Sequence, residues 1–192
     1  MKRRVKIVVA IICAIGNSLS AQTPIGIYLS GNDLRNGKLI HSKEENCKIK
    51  LNDVFYKPYV LVKTGGSEQK IFKDSIFGYR DKQNISYRFF NKDIYTILNP
   101  GEDLLLYSKE SLSITKGSPI IKKYYFSKDT GSPIWELSFS NLKTVFHDNT
   151  AFCDLLNTYF NATNDFVIHD ESHRIYELNS LLLLSKQLHQ LN

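Results

Sequence analysis

His169 and His173, in the run HDESH (169–173), stand four residues apart, the spacing that puts two imidazoles on one face of a helix as metal ligands. The corresponding chemistry is that of a metal-dependent hydrolase, with Glu177 or His147 as the third ligand. Two features oppose it. The residue directly after the first histidine is Asp170 rather than glutamate, and Glu171 lies one position further on, rotated off that face. Asp170 also reads as the N-cap of the last helix, which leaves His169 outside it. No metal is therefore assigned, and His169 and His173 stand only as candidates.

A second catalytic vocabulary occurs in VLVKTGGSEQKIF (60–72), where Lys63-Thr64-Gly65 spells K-T-G and Ser67 to Lys70 spells S-x-x-K. Serine acyl-transfer enzymes carry both, but with the serine at a helix start and the K-T-G on a strand reached much later. Here the order is reversed, just Gly66 separates the two fragments, and no S-D-N occurs. With Gly65-Gly66 as a two-residue turn, Thr64 opposes Ser67, Lys63 opposes Glu68, Val60 opposes Ile71 and Tyr59 opposes Phe72. The spacing predicts a hairpin and no active site.

D-T-G at 129–131, the aspartic-protease triplet, follows Ser127-Lys128, and that lysine favours an ordinary ionised Asp129. It reads as a turn between strands. His147-Asp148 is an H-D pair, but phosphohydrolases built on such pairs are helical, and this chain is mainly strands. Cys153 sits among Phe152, Leu155 and Leu156, so it reads as a buried or disulfide-bonded cysteine and not as a nucleophile. Eleven Tyr and eleven Phe beside one Trp suit a β core better than a sugar-stacking platform. No catalytic residue and no cofactor is assigned.

The elements that must hold these residues are strands first and helices last. Ile85, Tyr87 and Phe89 alternate with Ser86 and Arg88; Leu112 and Ile114 alternate with serine and threonine; Trp135, Leu137 and Phe139 alternate with Glu136, Ser138 and Ser140. Turn signals stand between them at Gly65-Gly66, Asn99-Pro100-Gly101 and Thr130-Gly131-Ser132-Pro133. The segment TPIGIYLSGNDLRNGKL reads as strand, turn, strand. A run spacing of roughly ten residues predicts an antiparallel, curved meander of about eight to ten strands over residues 25–140. Helical spacing then returns in 141–190. NLKTVF forms a turn or two, 149–160 carries Phe152, Leu155, Leu156 and Tyr159 behind a cap at Asp148 or Asn149, and about 171–190 carries Ile175, Leu178, Leu181, Leu182, Leu184 and Leu188. The class is α+β, with two C-terminal helices packed on the sheet.

At the N-terminus, Lys2, Arg3, Arg4 and Lys6 precede nine apolar residues (7–15), and SLSAQ follows. This is the pattern of a secretory signal peptide, cut between Ser20 and Ala21, and its apolar run is too short to span a bilayer. Ile12 before Cys13 rules out lipid attachment there. The chain of 192 residues carries 25 basic and 19 acidic groups; four basic residues leave with residues 1–20, and the remaining 21 against 19 give a formal +2. The lysines are scattered and alternate with apolar residues, as in CKIKL, so nucleic acid is excluded as a partner. Residues 21–192 suffice for one globular domain, and no later stretch is long enough to be a transmembrane segment. In an oxidising compartment Cys47 and Cys153 are a candidate disulfide, worth about 4–5 kcal/mol in the chain-entropy model; the alternative is two separate thiols.

The signal ending SLSAQ, the heavy use of Lys, Asn, Ile and Tyr, and the run SIFGYRDKQNISYRFFNKDIYTILNPGEDLLLYS (75–108) resemble the exported, uncharacterised proteins of Bacteroidetes-type bacteria. The resemblance implies a location in the periplasm, at the cell surface or outside the cell, and carries over no functional residue. Asp74-Ser75-Ile76 resembles the D-S-I O-glycosylation sequon of such proteins, with Ser75 as acceptor. The favoured expectation is a non-enzymatic binding or structural accessory of the envelope, with a small apolar ligand or an envelope protein as partner. The alternative is the metal-dependent hydrolase using His169 and His173.

Overall fold

A computed structural model describes residues 24–42, 47–51, 57–111, 121–160 and 165–190. The signal-peptide expectation, its Ser20–Ala21 cut, and the alternation at Leu112 and Ile114 lie outside the described residues. The protein is α+β and antiparallel, with twelve strands in three sheets among the described residues. The largest sheet has the order β1 (Gly26–Tyr28), β5 (Gly78–Arg80), β6 (Ser86–Phe90), β7 (Asp93–Ile97), β8 (Leu105–Ser111), β9 (Ile121–Ser127), β10 (Trp135–Glu136). From β5 to β10 it is the expected meander.

The expected single meander is corrected in one respect. β2 (Lys48–Leu51), β3 (Tyr59–Thr64) and β4 (Ser67–Phe72) leave it to form their own three-stranded sheet. Their inward residues Val60, Val62, Ile49, Leu51 and Ile71 pack with Ile27, Tyr79 and Phe89 of the larger sheet. The β3–β4 register is the one read from Gly65-Gly66, with Thr64 opposite Ser67, Lys63 opposite Glu68 and Tyr59 opposite Phe72. Gly65 and Gly66 hold φ of 51° and 91°, the left-handed pair of a type I′ turn.

The first segment is not strand–turn–strand throughout. Ser30 and Asp33 form a reciprocal capping box and start a short helix, α1 (Gly31–Arg35), before Ile40 bridges back to Ile27. Strand β10 likewise stops at Glu136, because Ser138 accepts from the Asn141 amide and caps α2 (Phe139–Val145). On β6, Ser86 and Arg88, which alternate with Tyr87 and Phe89, are buried, because both faces of the sheet are covered.

The C-terminal helices are α3 (Thr150–Phe160), capped by Asn149 through the Phe152 amide at 3.0 Å, and α4 (Glu177–Gln190). Phe152, Leu156, Leu178, Leu181 and Leu182 meet Leu104, Leu106 and Phe126 of the sheet in one core. Tyr159, Leu184 and Leu188, read as core-facing, are exposed. The last helix begins six residues later than expected. Asp170 accepts from the amides of Ser172 and His173 at 2.8 and 3.1 Å, closing a turn and not a helix, and Arg174 at φ 53° stops any helical run. The strands β11 (His169–Asp170) and β12 (Ile175–Tyr176) pair across that turn.

Buried amides then lock α4 to the meander. Asn179 accepts from the Leu104 amide at 3.1 Å and donates to the Leu104 carbonyl at 2.9 Å. Asn99 donates to the same carbonyl at 2.8 Å and accepts from the Leu106 amide at 2.6 Å. On the opposite face of β8, Leu105 and Tyr107 pack with Tyr28, Leu34, Tyr95 and Ile97.

Candidate functional site

An open groove of about 680 Å³ lies where the end of α1, the turn after β9, the start of α3 and the second half of α4 converge. Local chemistry sets each wall. Asp129 Oδ1 accepts from the amides of Gly131 and Ser132, both at 2.7 Å, and from the Ser132 hydroxyl at 2.9 Å, so the D-T-G triplet is a closed Asx turn. Burial alone would raise the Asp129 pKa, but these donors outweigh it and hold the carboxyl below its ordinary value. Thr130 of that turn fills the space beside Gly31, where a Cβ would lie 2.3 Å from the threonine Cβ. That close approach brings α1 up to the turn and puts Arg35 and Asp129 on one rim.

The floor is apolar where Phe146 and Leu182 reach it, and Asn149 donates to Ser185 at 3.1 Å across the junction of α3 and α4. Around it the charges pair. Lys128 binds Asp148 at 3.1 Å, and Lys186 binds Asp103 at 2.6 Å. Lys128 holds the Asp148 carboxyl below its usual range, and Lys186 does the same for Asp103. Arg35 adds its positive field to both Asp103 and Asp129. Ser185 and His189, four residues apart on α4, both line the groove. The Ser185 hydroxyl nevertheless donates to the Leu182 carbonyl at 2.8 Å, and among the described residues no imidazole hydrogen-bonds to it. It is a helical back-bond and not an activated nucleophile.

The histidines His147, His169 and His173, the cysteines Cys47 and Cys153, and Ser75, singled out from the sequence, do not line the groove. His169 Nδ1 meets Glu171 at 3.1 Å and its ring packs edge-on against Tyr176, while His173 Nδ1 meets Asp170 at 2.6 Å. The histidines sit on a hairpin and not on one helical face, each with its own carboxylate. Among the described residues no group of three or more His, Cys, Asp or Glu side chains is placed to hold a metal ion. His147 turns its Nδ1 to the Thr144 carbonyl at 3.0 Å. Cys47 and Cys153 are not joined by a disulfide. Cys47 packs in the core under the small sheet, and the Cys153 thiol donates to the Phe146 carbonyl at 3.4 Å. Burial pushes the Cys153 pKa up, away from a reactive thiolate. Ser75 is exposed at the end of a 3-10 turn (Lys73–Ser75), its hydroxyl donating to the Phe72 carbonyl at 2.8 Å.

Asp129, Asp148 and Asn149 stand out in the sequence, but as a protease triplet, an H-D pair and a cap. Arg35, Asp103 and Lys186 carry no local signal, because the groove is assembled from five separated segments. Compared with protein families, with curated proteins and with solved structures, the chain gives no match. Among the described residues no helix is long and apolar enough to cross a membrane.

Proposed function

We propose that the protein is an exported, non-enzymatic binding accessory of the cell envelope, and that its groove receives a small ligand with an apolar body. The observation that carries the reading is the mutual pairing of the rim charges, Lys128 with Asp148 and Lys186 with Asp103. These groups already satisfy one another, so occupancy gains most from covering the half-buried Ala151 and the aliphatic stems of Lys128 and Lys186 that line the groove. The volume of about 680 Å³ suits a small molecule. Export is supported by the basic start, the nine-residue apolar run and SLSAQ.

The test is the native intact mass of the protein recovered from its own envelope, beside Ala151→Trp, which fills the groove from the first turn of α3. The expected result is a processed chain carrying a small added mass that the variant lacks while its melting temperature holds. A bare processed chain in both proteins would overturn the ligand reading, and an uncut N-terminus would overturn export.

A further inference from the structure

Four of the lysines that read as scattered along the chain, Lys48, Lys50, Lys63 and Lys70, share one face of the small sheet. In CKIKL the alternation turns Ile49 and Leu51 into the core, so Lys48 and Lys50 point outward together. The strand register then places Lys48 opposite Lys63 and sets Lys50, Leu61 and Lys70 in one cross-strand row. The next row along holds Tyr59 and Phe72, whose rings meet edge-on at 6.5 Å. Lys70 and Lys57 lie over the Tyr59 ring at 5.2 and 5.8 Å. Lys57 and Lys70 are thus at the Tyr59 ring, with Lys48, Lys50 and Lys63 further along the same face. Glu68, paired with Lys63, is the only carboxylate on these strands among the described residues.

This arrangement works against the isolated fold. Like charges directly opposite on a sheet repel, and Lys48 faces Lys63. Phe72 is 55% exposed on edge strand β4, where an apolar ring gains nothing from water. An anionic surface would offset both costs at once: its charges neutralise the lysines, and its apolar layer takes the ring. The lysine stems are long enough to lie along the lipid while their heads remain among phosphates.

We propose that the outer face of β2–β3–β4 docks on an anionic phospholipid surface, with Lys48, Lys50 and Lys70 on headgroup phosphates and Phe72 as the apolar anchor. A lipid surface is favoured over a soluble polyanion because Phe72 stands at the edge of the lysine field, where it can enter an acyl layer while the lysines stay at headgroup level. The proposal is independent of the groove, which is built from other elements.

The experiment is co-sedimentation of the purified protein with vesicles of phosphatidylglycerol and phosphatidylcholine, and with phosphatidylcholine alone. Lys48→Gln with Lys50→Gln, both exposed, is compared under the same conditions, and Phe72→Trp reports on burial of the anchor. The expected result is binding to the anionic vesicles only, weakened about fivefold per lysine removed, with a blue shift of the Phe72→Trp emission on binding. Absence of binding to anionic vesicles would overturn the proposal, as would binding indifferent to the two lysines. Capture by dextran sulfate or duplex DNA without capture by vesicles would also overturn it, and would assign the face to a soluble polyanion.

Discussion

Arg88, 5% exposed, donates from Nη1 to the Tyr107 hydroxyl at 2.8 Å, and no carboxylate of the described residues pairs with it. Its other contacts are the Ser127 hydroxyl at 3.2 Å, the Ser132 carbonyl at 2.9 Å, and the rings of Phe77 and Phe90 at 5.0 and 5.3 Å. Burial pushes the Tyr107 pKa up even though the Arg88 charge pulls it down. One guanidinium therefore ties β6, β8 and β9 to the turn that forms a rim of the groove.

The order of two substitutions at this position is predicted by the same contacts. Arg88→Lys keeps a buried charge but loses the planar fork and the ring stacking, and is expected to cost about 2–4 kcal/mol in urea unfolding. Arg88→Met removes the charge as well. Tyr107 and Ser127 still bond each other at 2.8 Å, so the methionine variant should be the more stable of the two. The reverse order would mean that the charge itself is compensated.

Asn179 is the buried link between α4 and the meander. Asn179→Ala leaves the Leu104 amide without its acceptor and should cost about 1–3 kcal/mol. Asn179→Asp keeps that acceptor but buries a charge and loses the donor to Leu104, so it should be worse at neutral pH and recover partly in acid as the carboxyl protonates. Chemical denaturation at two pH values separates the cases.

At the β3–β4 turn, Gly66 at φ 91° has no room problem, since nothing lies within 4 Å of an added Cβ. The cost of Gly66→Ala is therefore purely of the backbone, about 1–2 kcal/mol. Gly65→Asn, at φ 51°, should be tolerated within about 0.5 kcal/mol because asparagine enters the left-handed region readily. Thermal melts of the two variants give the comparison.

The Asp170–His173 pair should make the β11–β12 turn sensitive to pH. Its hydrogen bond and charge raise the His173 pKa, and the same contact lowers that of Asp170. The histidine's contribution is complete below the ordinary value of about 6.5 and is lost as pH rises through the higher folded value. The aspartate's contribution is present above about 3.9 and is lost as pH falls through the lower folded value. The turn is held best between those limits. An NMR titration should place the His173 midpoint above the ordinary histidine value, and Asp170→Asn should return it there.

Features settled between near neighbours along the chain are legible before any fold is known. Gly65-Gly66 requires a left-handed turn, and that turn dictates every partner from Tyr59 to Phe72, so two catalytic-looking fragments reduce to a hairpin. The turn signals and period-two runs likewise require antiparallel strands, and Asn149 with Phe152 and Leu156 requires a helix to lie over them. Tertiary structure decided whatever depends on which face finds a cover. Arg88 alternates with Tyr87 and Phe89 along its strand and is nonetheless buried, because a second layer closes over that side of the sheet. Asp170 reads as a helix cap and closes a hairpin, because the pairing of His169 with Tyr176 competes with one more helical turn. The groove joins residues more than a hundred positions apart, and the lysine face appears only when β2 pairs with the β3–β4 hairpin. Period and turn chemistry are local free energies written in adjacent residues, whereas burial and charge clustering are sums over surfaces that exist only after the chain has folded.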